Sequence, residues 1–175
     1  MRRLEIQELF SRYAEGERDF ETVSLDDANL FEASLQGINF SDSTLQNAYL
    51  PYANLSQATM SRSQLQQIEL SNARLDQANL LNVNLQCGRL VRADLSFANL
   101  QGADLSDADL SGASLYCADL RQAKLCRANL SRVDLRQANL SGANLSGATL
   151  FRASGAELDG AIVDAFTTYP DGHRE

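Results

Sequence analysis

The sequence has no Trp, a single His, a single Lys, two Pro and only 7% aromatic residues. With His173 the one imidazole, neither a His-centred catalytic triad nor a multi-His metal site can be assembled. Lys124 is the one lysine, and no GxxxxGK[ST] or GxGxxG stretch occurs to cradle phosphates. No cofactor, no metal and no enzymatic activity are therefore expected. The three cysteines are odd in number and contain no CxxC, which predicts reduced thiols in a cytoplasmic protein. No apolar run approaches a membrane span, and the opening MRRLEIQELF lacks the apolar core of a signal peptide. Basic residues are outnumbered: 15 Lys and Arg against 23 Asp and Glu leave a net charge of −8. That balance argues against direct nucleic-acid binding through a basic footprint.

What the chain has is a period of five. From Phe20 to Leu150 every fifth residue is a large apolar centre: Leu throughout, except Phe20, Phe40 and Met60. Two positions before each centre stands a small residue, usually Ala, with Val23, Ile38, Ser43, Ser63, Ile68, Val83, Gly88 and Val133 among the exceptions. Asn or Asp commonly precedes the centre and Ser or Gln commonly follows it. Five is neither the helical nor the strand period. Residues two apart on an extended segment share a face, so the small residue and the centre point inward together. The three residues between must turn the corner, and their Gly, Asn, Asp and Ser content suits that. One such segment cannot bury its two inward residues alone, whereas stacked coils can. The non-Leu centres Phe20, Phe40 and Met60 lie 20 apart, which groups four repeats into one coil. Continued, that column holds Leu80, Leu100, Leu120 and Leu140. The 27 centres then make nearly seven coils, a rod on the order of 30 Å long. On this frame Ile68 sits beside Gly88, a large side chain next to a gap.

The tandem ADLSF ANLQG ADLSD ADLSG resembles the A(D/N)LXX signature of the pentapeptide-repeat family, and the resemblance covers roughly residues 18–163. It implies an all-β solenoid, a right-handed four-sided parallel β-helix with four repeats per coil. It also implies a cyanobacterial-type kinship, in a family whose members mostly have no known biochemical function. Some members mimic DNA and occupy the DNA site of a type II topoisomerase such as gyrase.

The ends depart from the repeat. Residues 1–17 are expected to form a helical cap, with Ile6, Leu9, Phe10 and Tyr13 on one face and Gly16 as its stop. The regular β-helix runs to residue 152. The frame breaks at Gly155 and resumes with centres at Leu158 and Val163, so the repeat domain is read as 18–163. Residues 164–175, with the turn signal Pro170-Asp171-Gly172, form a C-terminal cap and tail. Two rods could pair end to end through the C-terminal coil.

Function must be sought in residues that face out and depart from the pattern. Aspartates such as Asp94, Asp104 and Asp119 precede centres and read as corner-bonded repeat residues rather than catalytic carboxylates. In steps of 20, Phe31, Pro51, Val91 and Phe151 share one outward column, and Tyr52, Arg92, Arg132 and Arg152 share the next. Tyr49 lies close by. Aromatics beside arginine are typical of protein-binding hot spots. The candidate surface is thus Phe31, Tyr49, Tyr52, Val91 and Arg92, and the leading expectation is a non-enzymatic interaction or scaffold protein with an unidentified protein partner. The alternative is DNA mimicry directed at gyrase. Residues 1–88 carry 12 acidic and 6 basic side chains and residues 89–175 carry 11 and 9, so the negative charge gathers at one end. A mimic needs it along the whole rod.

Overall fold

A computed structural model describes residues 1–174, and the chain winds as one rod of stacked square coils. Parallel β-bridges join the residue before each centre to its counterpart 20 residues later, from Asp19–Asn39 up to Asp134–Ser154. Each coil therefore holds four repeats. The right hand of the β-helix follows the handedness that governs parallel crossovers. Backbone bonds run between coils on all four sides, for example from the amide of Leu100 to the carbonyl of Asp119 (2.8 Å) and from that of Asn99 to Ala78 (2.9 Å).

The interior is the predicted one. Every centre from Phe20 to Leu150 is buried, and the Phe20 and Phe40 rings meet at 6.2 Å between centroids. The small inward residues from Val23 to Ala153 are buried with them, Ala138 only partly, because a narrow tube has no room for two large side chains per side. Ser43 and Ser63 are fully buried, yet their hydroxyls donate to the carbonyls of Phe20 (3.2 Å) and Phe40 (2.6 Å). An inward hydroxyl is tolerated because the coil beneath offers an acceptor.

The corners explain the outward part of the repeat. From Leu25 onward the amide three residues after a centre bonds back to the centre's carbonyl, as Ala103 does to Leu100 (3.0 Å). The residue two after the centre adopts a left-handed backbone, with φ near +60° at Gln57, Arg92, Phe97 and Gln137. The Asn or Asp before the centre accepts from the amide just after it: Ser96 to Asp94 (3.0 Å), Gln101 to Asn99 (3.1 Å), Ser111 to Asp109 (3.0 Å). Such Asx turns account for the Asn/Asp preference.

At the start, β1 (Arg2–Arg3) pairs in parallel with β2 (Val23–Ser24), and α1 (Ile6–Ala14) lies over the first coil. Leu4 and Leu9 are buried, while Ile6 and Tyr13 pack against the core. Gly16, at φ +97°, closes the helix through its amide bond to Tyr13. Phe10, expected on the packed face, is 39% exposed instead. The apolar stripe centres on Leu9, and Phe10 is turned ~100° away from it.

At the far end the spacing between bridged residues falls from 20 to 18 for Asn144–Ile162 and returns to 19 for Thr149–Thr168. This is the frame break at Gly155. Asp164 holds the shortened coil: its Oδ1 accepts from the amides of Gly147 (2.9 Å) and Phe166 (3.0 Å) and from the Thr167 hydroxyl (3.1 Å). Those bonds keep its carboxyl below the usual carboxylate range, the amide of Gly147 contributing most. The 170–172 turn forms, with the amide of Gly172 bonded to the carbonyl of Tyr169 (2.9 Å). No helix among the described residues is long and apolar enough to cross a membrane.

Candidate binding surface

Three of the five predicted surface residues touch one another. Tyr49 replaces the usual Asn or Asp before a centre, and its ring points outward and stacks on Phe31 at 6.2 Å and 17°. Tyr52 meets the same ring edge-on at 6.0 Å. All three are exposed: Phe31 and Tyr49 by 46% each and Tyr52 by 57%. Tyr52 has φ +60°, but the same angle recurs at this turn position along the rod, so it belongs to the fold and marks no functional strain.

Val91 and Arg92 stand two coils further along the same corner, ~10 Å from Pro51 and Tyr52. They do not join the ring cluster. Instead they line a shallow groove of about 490 Å³ with Gly112, Arg132 and Phe151. Val91 is half-buried and Arg92 exposed. Pro51, expected to face outward, is buried. The position after a centre is also covered at Ser41, Ser56 and Ser61, in the same part of the rod. Ser71, between Pro51 and Val91 in this column, buries an Oγ that has no hydrogen-bond partner among the described residues.

A second exposed aromatic contact lies on another corner. Phe97 meets Tyr116 edge-on at 5.5 Å, and Arg136 sits 5.6 Å above the Tyr116 ring. Residues 97 and 116 are 19 apart, so they fall in different 20-residue columns although their rings touch.

Charge is distributed unevenly around the rod. Of the ten cationic side chains between residues 19 and 153, seven pair with carboxylates: Arg62, Arg74, Arg89, Arg121, Lys124, Arg127 and Arg136. Four of these ties run between adjacent coils, among them Arg62–Asp42 (2.5 Å) and Arg127–Asp107 (2.6 Å). Hydrogen bonds from Arg62 to Asp42, Arg127 to Asp107, Arg121 to Asp119 and Arg136 to Asp134 hold those carboxyls below their ordinary values. The remaining three, Arg92, Arg132 and Arg152, form no ion pair with any described residue, and all three occupy the candidate corner. Arg152 lies over the Phe151 ring at 5.1 Å. Among the described residues no group of three or more His, Cys, Asp or Glu is placed to hold a metal.

Comparison with known proteins accords with this architecture. The model of the pentapeptide repeats matches eight copies, over residues 24–62, 60–96, 89–126 and 128–163. No curated protein matches the chain. Among solved structures, the chain is similar to HetL, a pentapeptide repeat protein involved in heterocyst differentiation regulation from the cyanobacterium Nostoc sp. strain PCC 7120. The two are 30% identical, over 98% of this chain and 100% of HetL, with a TM-score of 0.42. It is also similar to a trypsin-treated form of QnrB1, a plasmid-mediated fluoroquinolone resistance protein, at 17% identity over 86% of this chain and 88% of that one, TM-score 0.49. A pentapeptide repeat protein from the cyanobacterium Cyanothece 51142 is 23% identical over 91% of this chain and 95% of its own, TM-score 0.42. With its five-residue period and its four-repeat coil, the chain belongs to the pentapeptide repeat family.

Proposed function

We propose that this rod is a non-enzymatic, cytoplasmic protein-binding module that engages a protein partner along the corner running from Phe31, Tyr49 and Tyr52 to Val91 and Arg92. The observation that carries the reading is the exposed three-ring contact of Phe31, Tyr49 and Tyr52. Rings held together in water offer a large, rigid apolar area whose ordering costs little on binding. Enzymatic chemistry draws no support from repeat carboxylates such as Asp94, Asp107 and Asp109, which are engaged in corner bonds and ion pairs. Mimicry of DNA before gyrase draws less support than partner binding, because much of the negative charge in the second half is neutralised by those pairs. The last coil, with Phe166 70% and Ile162 54% exposed, is the end through which two rods would pair.

The test is capture of partners from a native lysate on immobilised protein, comparing the natural chain with a Tyr52→Asn, Arg92→Gln variant. Asn and Gln already stand at the same left-handed turn position, as Asn47, Asn72, Gln57 and Gln77. The variant is therefore expected to melt within a few degrees of the natural chain. It is expected to lose about tenfold or more of a specifically captured protein. Undiminished capture by the variant would remove this corner from consideration.

A further inference from the structure

The three unpaired arginines are set apart by geometry as well as by charge. Arg92, Gly112, Arg132 and Arg152 follow one another at 20-residue steps, one per coil. Arg92 and Arg132 thus flank a position without a side chain. A Cβ added at Gly112 would stand 3.5 Å from Cγ of Arg92, so the Arg92 stem lies beside the glycine, and Arg92, Gly112 and Arg132 line one groove. Elsewhere along the coils a cation finds a carboxylate on its own or an adjacent coil; here no carboxylate of the described residues reaches one. The hydroxyls of Ser111 and Ser131, which also line the groove, have no partner among the described residues. Val91 at one end and Phe151 at the other supply apolar walls.

We infer that this groove binds an acidic peptide segment of a partner protein, two of its carboxylates pairing with Arg92 and Arg132. The inference rests on the reading of this corner as a partner-binding surface, and it names the chemistry of the partner there. Two coils separate the arginines by ~9.6 Å. On a polyproline II segment, residues i and i+3 share a face and rise ~9.3 Å. Carboxylates at that spacing reach both guanidiniums at once, with the backbone lying along the rod over Gly112. Arg152, one coil further on, stands ready for a third. A free nucleic acid suits the groove less well: the rod's net charge of −8 repels a continuous polyanion, whereas a short acidic segment presents its charge only locally.

Fluorescence anisotropy with a labelled (Pro-Pro-Glu)4 peptide tests the inference on the full chain. Saturable binding is expected at low salt, weakening as salt rises. An Arg92→Gln, Arg132→Gln variant should lower the affinity by about tenfold or more, since both charge-assisted contacts are lost. An Arg121→Gln, Arg127→Gln variant, equal in charge but altered on other corners, should bind as the natural chain does. The uncharged (Pro-Pro-Gln)4 peptide should not bind. The inference is overturned if the acidic peptide does not bind, if both variants bind it equally, or if oligo-dT binds the groove as tightly and with the same dependence on Arg92 and Arg132. Failure here together with lost partner capture by the Tyr52→Asn, Arg92→Gln variant would remove the acidic segment alone, and the partner-binding corner would stand.

Discussion

Replacing Gly155 with Ala is expected to detach the last coil while the coils beneath it stay folded. Gly155 has φ +65°, a conformation that costs a residue with a Cβ about 1 kcal/mol or more. The larger effect is collision. A Cβ there would stand 2.6 Å from Cα and 2.9 Å from N of Arg136, the backbone of the coil below. Backbone cannot swing aside as a side chain does, so the two effects together should cost about 3 kcal/mol. The site is also where the chain drops two residues from the 20-residue spacing, so no neighbouring repeat can absorb the displacement. Because each coil of a solenoid touches only the next, the damage should stay local. Amide exchange reads this directly. The amides of Gly142, Leu145 and Leu150, which bond up to Gly160, Ile162 and Thr168, should lose protection, while that of Leu100 keeps it. Gly160→Ala is the control: it shares the left-handed backbone, but its Cβ would meet nothing nearer than Cα of Ser141 at 4.0 Å. If the two substitutions melt alike, backbone collision is not what fixes glycine at 155.

The second large effect concerns Ile68 and Gly88, which lie one above the other in the tube. Ile68 is 1% exposed, and its Cγ2 stands 3.5 Å from where a Cβ of Gly88 would be. The isoleucine fills the room the glycine vacates. Ile68→Ala should cost about 3 kcal/mol, from lost burial and the cavity left behind. Gly88→Ala alone should be mildly destabilising, because its Cβ would press to 3.0 Å on the carbonyl of Leu85 and 3.3 Å on Leu90 Cδ1. With both changes the column reads Ala, Ala, as most of the tube does. The double variant should therefore recover about 1 kcal/mol relative to the sum of the two single changes. Additive costs in denaturant unfolding would show that the two side chains do not share space.

These two sites show what one sequence can and cannot disclose about this fold. The pairing of Ile68 with Gly88 is legible because inward columns repeat strictly at 20 residues and volume is conserved between coils. The burial of Phe20, Phe40 and Met60 is legible for the same reason. The left-handed turn residue is not. Gln, Arg, Cys and even Phe97 stand there, residues that carry no signal of positive φ, and glycine appears only at some repeats, such as Gly102 and Gly142. The cost is accepted because each turn is fixed from both sides by bonds to neighbouring coils. The short strand Arg2–Arg3 escapes notice as well, since two exposed arginines carry no strand pattern.

The candidate surface was legible in part. Columns at 20-residue steps bring Tyr52 and Arg92 to one corner, yet ring contacts form between residues 18 or 19 apart, as in Phe31–Tyr49 and Phe97–Tyr116. Such pairs sit one or two columns apart on adjacent coils, and stepping by 20 passes over them. The lack of partners for Arg92, Arg132 and Arg152 is likewise a property of the wound chain. Which cations find a carboxylate depends on reach within a coil, as for Arg121 and Asp119, as much as between coils, as for Arg127 and Asp107. Composition records only the net charge.

Two exposed aromatic contacts on different corners provide the sharpest test of where the partner binds. A photo-crosslinking phenylalanine analogue can replace Tyr49 in one variant and Phe97 in another, and each protein can be irradiated in native lysate. Tyr49 is 46% exposed and Phe97 56%, so the two probes are comparably accessible. A covalent adduct with one protein from position 49, and none from position 97, is the predicted result. An adduct from position 97 with none from position 49 would contradict the assignment of the Phe31–Tyr49–Tyr52 corner as the binding surface.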